Sequence, residues 1–243
     1  MARTRARRNG AIWAIVGGVV LIGAVLAVFG SALLSQPEPS PSPSDSTASS
    51  PNGPPPREAD AESVDSSVTE RGWIAEPITT DRQTYIAAAL EAASTFDTTL
   101  STREEWLDYL DSWFTPDTRF SEAEDQQLAM EDFQVELRQG VVLPADQWAA
   151  LESERGRVTA LTVGDIAYAV VTEDSSGDMS IGTSDVTLTF TRSEGGDGET
   201  SYDETVRVSV QVLCGEGSVP SPDSAQQAGD CKVVRYFAEP LEP

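Results

Sequence analysis

An uncharged apolar run, Ala11–Leu34, limits what this chain can become more than any other feature. As a helix rising ~1.5 Å per residue it is ~36 Å long, enough to cross a hydrocarbon core of ~30 Å with modest tilt. A lone segment satisfies its own backbone polar groups in lipid only as a helix. Arg3, Arg5, Arg7 and Arg8 precede the run, while the flank Ser35–Ser50 has no Lys or Arg. The positive-inside rule therefore places residues 1–10 in the cytoplasm and everything after Leu34 outside. The competing reading is a signal peptide cleaved after Gly30-Ser31-Ala32, but the run is longer than the usual signal core. No Cys lies near it, so a lipoprotein anchor is excluded. Ala14/Gly18 and Gly23/Ala27 have the small-xxx-small spacing of helix pairing, or merely the composition common in membrane helices.

Residues 35–72 read as a spacer. Pro-Glu-Pro-Ser-Pro-Ser-Pro-Ser opens it, Pro54-Pro55-Pro56 continues it, and acidic, Ser-rich sequence follows. It lacks the apolar side chains that offset the entropy of ordering, and alternate prolines favour extended chain. A Pro-rich partner ligand is the alternative to a wall spacer.

Residues 73–243 have the patterning of a folded domain. Thr80-Asp81 can cap a helix whose face is Tyr85, Ile86, Ala89, Leu90, Ala93 and Phe96. Ser101-Thr-Arg-Glu104 fits a capping box. It opens a second helix with Trp106, Leu107, Leu110, Trp113 and Phe114 inward, ended by Thr115-Pro116. Residues 121–153 read mostly as helix, although Phe133, Val135 and Leu137 also alternate like a strand. From Gly156 the apolar period becomes two. Val158–Val163 and Ile166–Val171 read as a tight hairpin about Gly164-Asp165. Further strands follow at Val186–Phe190, Val206–Val212 and Cys231–Phe237. Helices followed by about five antiparallel strands predict an α+β fold, with helices packed on a curved sheet.

The net charge is −24, and removing the four arginines of the arm leaves −28 on the remainder. Such a surface repels nucleic acid, so no nucleic-acid partner is expected. The chain has no histidine, which removes Ser-His-Asp and Cys-His catalysis and histidine metal sites. Asp97, Asp165, Tyr168, Tyr202 and Asp203 could furnish an acid–base pair, but nothing in their spacing makes them converge. The acidic loops Glu173–Asp178 and Glu194–Glu204 lack calcium-loop spacing and read as solvated turns. No catalytic residue, cofactor or metal is expected. Cys214 and Cys231, an even pair in an exported domain, read as a disulfide; buried free thiols or a metal pair are the alternatives. The bond would pin the last strand or stiffen the loop as a contact surface.

Membrane helix, Pro/Ser spacer, the Ala-rich helix ending Phe96-Asp97-Thr98, then Arg103-Glu-Glu-Trp106, Leu110, Trp113 and Thr115-Pro116 make a recognisable order. It resembles single-pass actinobacterial proteins whose exported domain is similar to nuclear transport factor two. Relatives with this plan include scaffold subunits of conjugation and type IV secretion machines and Mce-associated membrane proteins. The match covers about residues 81–120, and the strands match in order alone. The resemblance implies a cone-like domain, no catalytic motif, and partners among envelope proteins or further copies of the chain. The expected function is a membrane-anchored extracytoplasmic scaffold or protein-interaction module, the alternative a tethered ligand-binding or enzymatic pocket of the same fold.

Protease added to wall-stripped intact cells should digest the domain and spare the arginine arm. Protection of the domain until lysis would reverse the orientation, and a mature N-terminus near Leu33 would make the run a cleaved signal.

Overall fold

Asp81 caps the first α-helix, accepting a 2.7 Å hydrogen bond from the Thr84 N–H. This is one anchor point in a computed structural model that describes residues 62–193 and 198–241. The expected arm, the membrane helix and the spacer up to residue 61 lie outside the described residues. Among the described residues no helix is long and apolar enough to cross a membrane.

The packed body reaches ahead of Trp73. A 3-10 helix, Ser66–Arg71, is capped by Asp65 and buries Val68. Gly72 closes it with φ +75, and a Cβ there would lie 2.8 Å from the Asp97 Cβ. Helix α1, Arg82–Ala92, buries Tyr85, Ile86, Ala89, Leu90 and Ala92. It stops before Phe96. The predicted helical face therefore loses that residue, which instead forms the short strand β1, Phe96–Asp97. Asp97 Oδ1 accepts from the Thr99 N–H and hydroxyl, a local bond that competes with helix continuation.

Helix α2, Arg103–Asp111, starts one residue later than predicted. Thr102 and Glu105 form the reciprocal capping box, while Ser101 accepts from the Trp73 indole at 2.9 Å. Both residue pairs fit the same motif, and the indole bond takes Ser101 out of contention. Trp113 and Phe114 lie past the helix end, still buried. There the chain runs beside the last strand, through a Phe114↔Val233 bridge and a Thr115 N–H to Val233 C=O bond of 2.8 Å. Residues 121–153 supply α3, Ala123–Gly140, and α4, Ala145–Ser153. The helical reading holds there.

The sheet is fully antiparallel in the order β1-β2-β3-β4-β5. β2 is Arg157–Val170, β3 Met179–Ser193, β4 Glu199–Leu213 and β5 Lys232–Phe237. The hairpin expected at Gly164-Asp165 is absent: β2 continues through a bulge between Val163 and Ala167, and both halves pair with β3. Gly164, at φ +76, suits a bulge as well as a turn. β3 is long enough to pair with both halves, so the strand bends and does not reverse. A second register shift, between Gln211 and Val212, adds curvature. Helices lie on one face of this curved sheet. α1 crosses close because Gly182 leaves room; a Cβ there would sit 2.6 Å from Ile86 Cγ2.

Phe96 stacks on Trp148 at 4.1 Å, and Trp106 lies 5.5 Å from Trp148 and 4.9 Å from Phe96. This trio joins α2, α4 and β1. Each ring pair adds ~0.5–1.5 kcal/mol beyond area burial. Trp148→Ala should therefore lower stability by ~3–5 kcal/mol in urea unfolding. A loss under ~1 kcal/mol would show that α4 is not part of the core.

Candidate interaction groove and its buried anchor

Lys232 is the chain's only lysine, yet its side chain is 1% exposed at the start of β5. Its Nζ lies 2.9 Å from Glu76 Oε1, 2.8 Å from the Ser112 carbonyl and 2.8 Å from Ser221 Oγ. The three ammonium donors are thus used. Glu76, 0% exposed, also accepts from the Tyr85 hydroxyl at 2.6 Å and from Gln226 Nε2 at 3.2 Å. Its backbone N–H donates to the Tyr109 hydroxyl, which donates in turn to the Ile74 carbonyl. Glu76 Oε2 has no hydrogen-bond partner among the described residues.

Burial pulls the Lys232 ammonium below its ordinary pKa, and the Glu76 charge and hydrogen bond oppose that shift. Burial drives the Tyr85 phenol well above its ordinary value, and the Glu76 charge pushes the same way. Tyr236 and Tyr109 are also raised, chiefly by burial. Desolvation offsets much of the attraction in such a pair, so its main effect is to fix geometry. It fastens the segment before α1, α1 itself, the end of α2, the loop after β4, and β5 at one point. A lysine beside a carboxylate and a phenol could move protons, but neither groove described below reaches this one.

Cys214 and Cys231 are joined by a disulfide, at a sequence separation of 17. Closing such a loop contributes ~3 kcal/mol by restricting the unfolded chain. The loop is fastened inward by polar groups. Ser218, Gln226 and Asp230 are buried. The Val219 N–H donates to Thr115 Oγ1, and the Cys231 N–H donates to the Thr79 carbonyl. This geometry matches a pin for the last strand better than a free contact surface.

The five acid–base candidates are dispersed. Asp97 holds the Thr99 turn, and Asp165 is exposed at the bulge. Tyr168 is 47% exposed on β2. Asp203 accepts from the Thr189 hydroxyl at 2.7 Å. Tyr202 stacks on Phe190 at 5.0 Å under the Arg192 guanidinium, and of the five it alone borders a groove. In the acidic loop, Asp174 accepts from the Ser176 and Met179 N–H groups and so shapes the turn into β3. Among the described residues no group of three or more His, Cys, Asp or Glu is placed to hold a metal ion.

The groove lies between the α3–α4 link and strands β3 and β4, on the sheet face that carries Leu188, Phe190 and Val206. Two adjoining hollows of about 310 and 190 Å³ share Leu143, Gln147 and Phe190. Phe96, Leu188, Val206 and Phe237 extend the apolar wall, and Gln139 and Glu204 add polar groups. No sequence signal announced the groove. It exists because β5 pairs with β4 only from Ser209 to Leu213, which leaves the rest of β4 uncovered. The buried role of Lys232 was equally hidden, since a lone lysine is ordinarily a surface residue.

No family model matches the sequence, and no curated protein matches it. Two solved structures are similar in part. One is an IcmL-like type IV secretion system protein from Legionella pneumophila subsp. pneumophila strain Philadelphia 1. It shares 11% identity at a TM-score of 0.39, over 67% of this chain and 95% of that one. The other is CagV, a VirB8 homolog of the type IV secretion system from Helicobacter pylori strain 26695. It shares 16% identity at a TM-score of 0.31, over 57% of this chain and 82% of that one. Scores at this level decide neither the fold nor the function.

Lys232→Met leaves a buried carboxylate without its cation and should lower stability by ~3–5 kcal/mol, whereas Glu76→Leu with Lys232→Met should recover most of it. Strictly additive losses in urea unfolding would contradict a coupled pair. The phenol shifts add a pH signature. Folded-state values raised above ~10 give stability that is full below ~10 and lost as pH climbs past it. The depressed Lys232 value has the opposite sign, and three phenols outweigh it. The urea midpoint should therefore fall between about pH 9 and 11, and a midpoint that rises there would contradict the burial of these groups.

Proposed function

We propose that the chain is a membrane-anchored extracytoplasmic scaffold module of an envelope complex of the conjugation or type IV secretion kind. Residues 1–10 form its cytoplasmic arm, 11–34 its membrane helix and those from 35 to about 61 its spacer; the exported domain starts near residue 62, ahead of the expected boundary at 73. The observation that carries the reading is the groove. Apolar side chains such as Phe96, Leu143, Leu188 and Val206 share its walls about equally with polar groups, and Glu204 is the sole carboxylate among the residues lining its larger hollow. A cleft of that mixed character is like the surfaces by which proteins dock, which are a little over half apolar. The sequence plan of anchor, spacer and helix-then-strand domain supports the same reading. Its net charge of −24 favours basic partner surfaces over nucleic acid.

One observation favours a second reading. A hollow of about 310 Å³ falls at the lower end of small-ligand pockets, so a tethered ligand-binding domain is the alternative. Cross-linking of the full-length chain in intact cells separates the two. The scaffold reading predicts covalent products with other envelope membrane proteins or with further copies of the chain. Exclusively uncrosslinked monomer that carries a bound small molecule after purification would favour the pocket.

A further inference from the structure

β4 spans Glu199–Leu213, but β5 covers only Ser209–Leu213. From Glu199 to Val208 the strand has β3 on one side and, among the described residues, no strand on the other. Exposure follows this boundary: Glu199–Thr205 are exposed, Val206–Val208 partly so, and burial begins at Ser209. Among the described residues no strand pairs with this margin of β4, which borders the groove through Glu204, Val206, Arg207 and Val208. Edges of this kind are templates for an added strand unless charges or bulges block them.

The charges near this edge are mostly engaged within the domain. The Glu199 carboxylate accepts two bonds from Arg157, of 2.7 and 2.8 Å. Asp203 is held by Thr189, and Arg207, which also borders the groove, lies 3.0 Å from Asp185. Glu204 differs. It pairs in register with the apolar Leu188 and lines the groove, and its carboxylate makes no hydrogen bond or ion pair among the described residues. A negative charge thus stands unmatched among the described residues between Tyr202 and Val206, on the groove side of this strand.

We propose that this edge binds an extended segment of a partner protein as an added β-strand. Apolar side chains at alternate positions enter the groove, and a Lys or Arg among them meets Glu204. The proposal rests on the scaffold reading and supplies its contact site. Main-chain hydrogen bonds to β4 give affinity, while the groove and Glu204 give specificity. Charge complementarity selects a basic segment over a second copy of this chain. Edge-to-edge pairing of two copies would bring together two unpaired Glu204 carboxylates on proteins of net charge −24.

The test uses the full-length chain in detergent and a display library of random peptides of about ten residues. Enriched peptides should alternate apolar residues with a Lys or Arg placed among them. The best peptide should slow amide exchange over Glu199–Val208, and Glu204→Lys should weaken it by about fivefold or more. Selection on the Glu204→Lys variant should then enrich Asp or Glu in place of the basic residue. The proposal is overturned if no alternating peptide is enriched, if protection falls elsewhere, or if enrichment is the same on both baits. It is also overturned by a peptide-free dimer whose 199–208 amides are already protected, which would make a second copy the occupant. In cells, unchanged cross-links to envelope proteins in the Glu204→Lys variant would remove this site and leave the scaffold reading standing. Absence of any such cross-link in the wild type would remove the scaffold reading itself.

Discussion

The buried ion pair between Glu76 and Lys232 is the constraint on which the rest of the domain depends. Five segments drawn from three separate stretches of the chain converge on it: the stretch before α1, α1, the end of α2, the loop after β4, and β5. None of these could shift alone without stranding a charge or a polar donor away from water. The disulfide lies at the same place, because Cys231 immediately precedes Lys232. Covalent and ionic fastening therefore act together on β5, the last strand of the sheet.

That fastening has a consequence farther along the same margin of the sheet. β5 is held at its first residue and ends at Phe237, so it cannot cover more of β4 than it does. The uncovered part of β4 and the α3–α4 link then frame an apolar groove with an open strand edge. Rigid closure at one end and exposure at the other come from the same difference in strand length.

Local chemistry made part of this legible in the sequence. Asp81 as a cap, the helical spacing of Tyr85, Ile86, Ala89 and Leu90, and the alternation of Val206, Val208, Val210 and Val212 each depend on neighbours a few residues away. The misreadings share one cause, which is competition settled by distant partners. Gly164-Asp165 suits a turn and a bulge equally, and the length of β3 decides between them. Ser101 and Thr102 both begin a capping-box pattern, and the indole of Trp73 decides. Phe96 continues a helical stripe, but pairing with Val158 takes it into the sheet. The groove and the Lys232 site were illegible for the same reason. One arises from the unequal lengths of β4 and β5, and the other from a contact across 156 positions between Glu76 and Lys232.

The measurement that tests the central role of the buried pair most directly is native-state amide exchange, residue by residue, on wild type and Lys232→Met. If the pair fastens these segments together, the amides of Val64 and Ile78, which bond to Glu76 and Glu62 carbonyls, and those of Cys231 and Val233 should open as one unit. Lys232→Met should then lower the opening free energy of all four by the same amount. Independent opening of the two groups, or loss of protection confined to β5, would contradict the account.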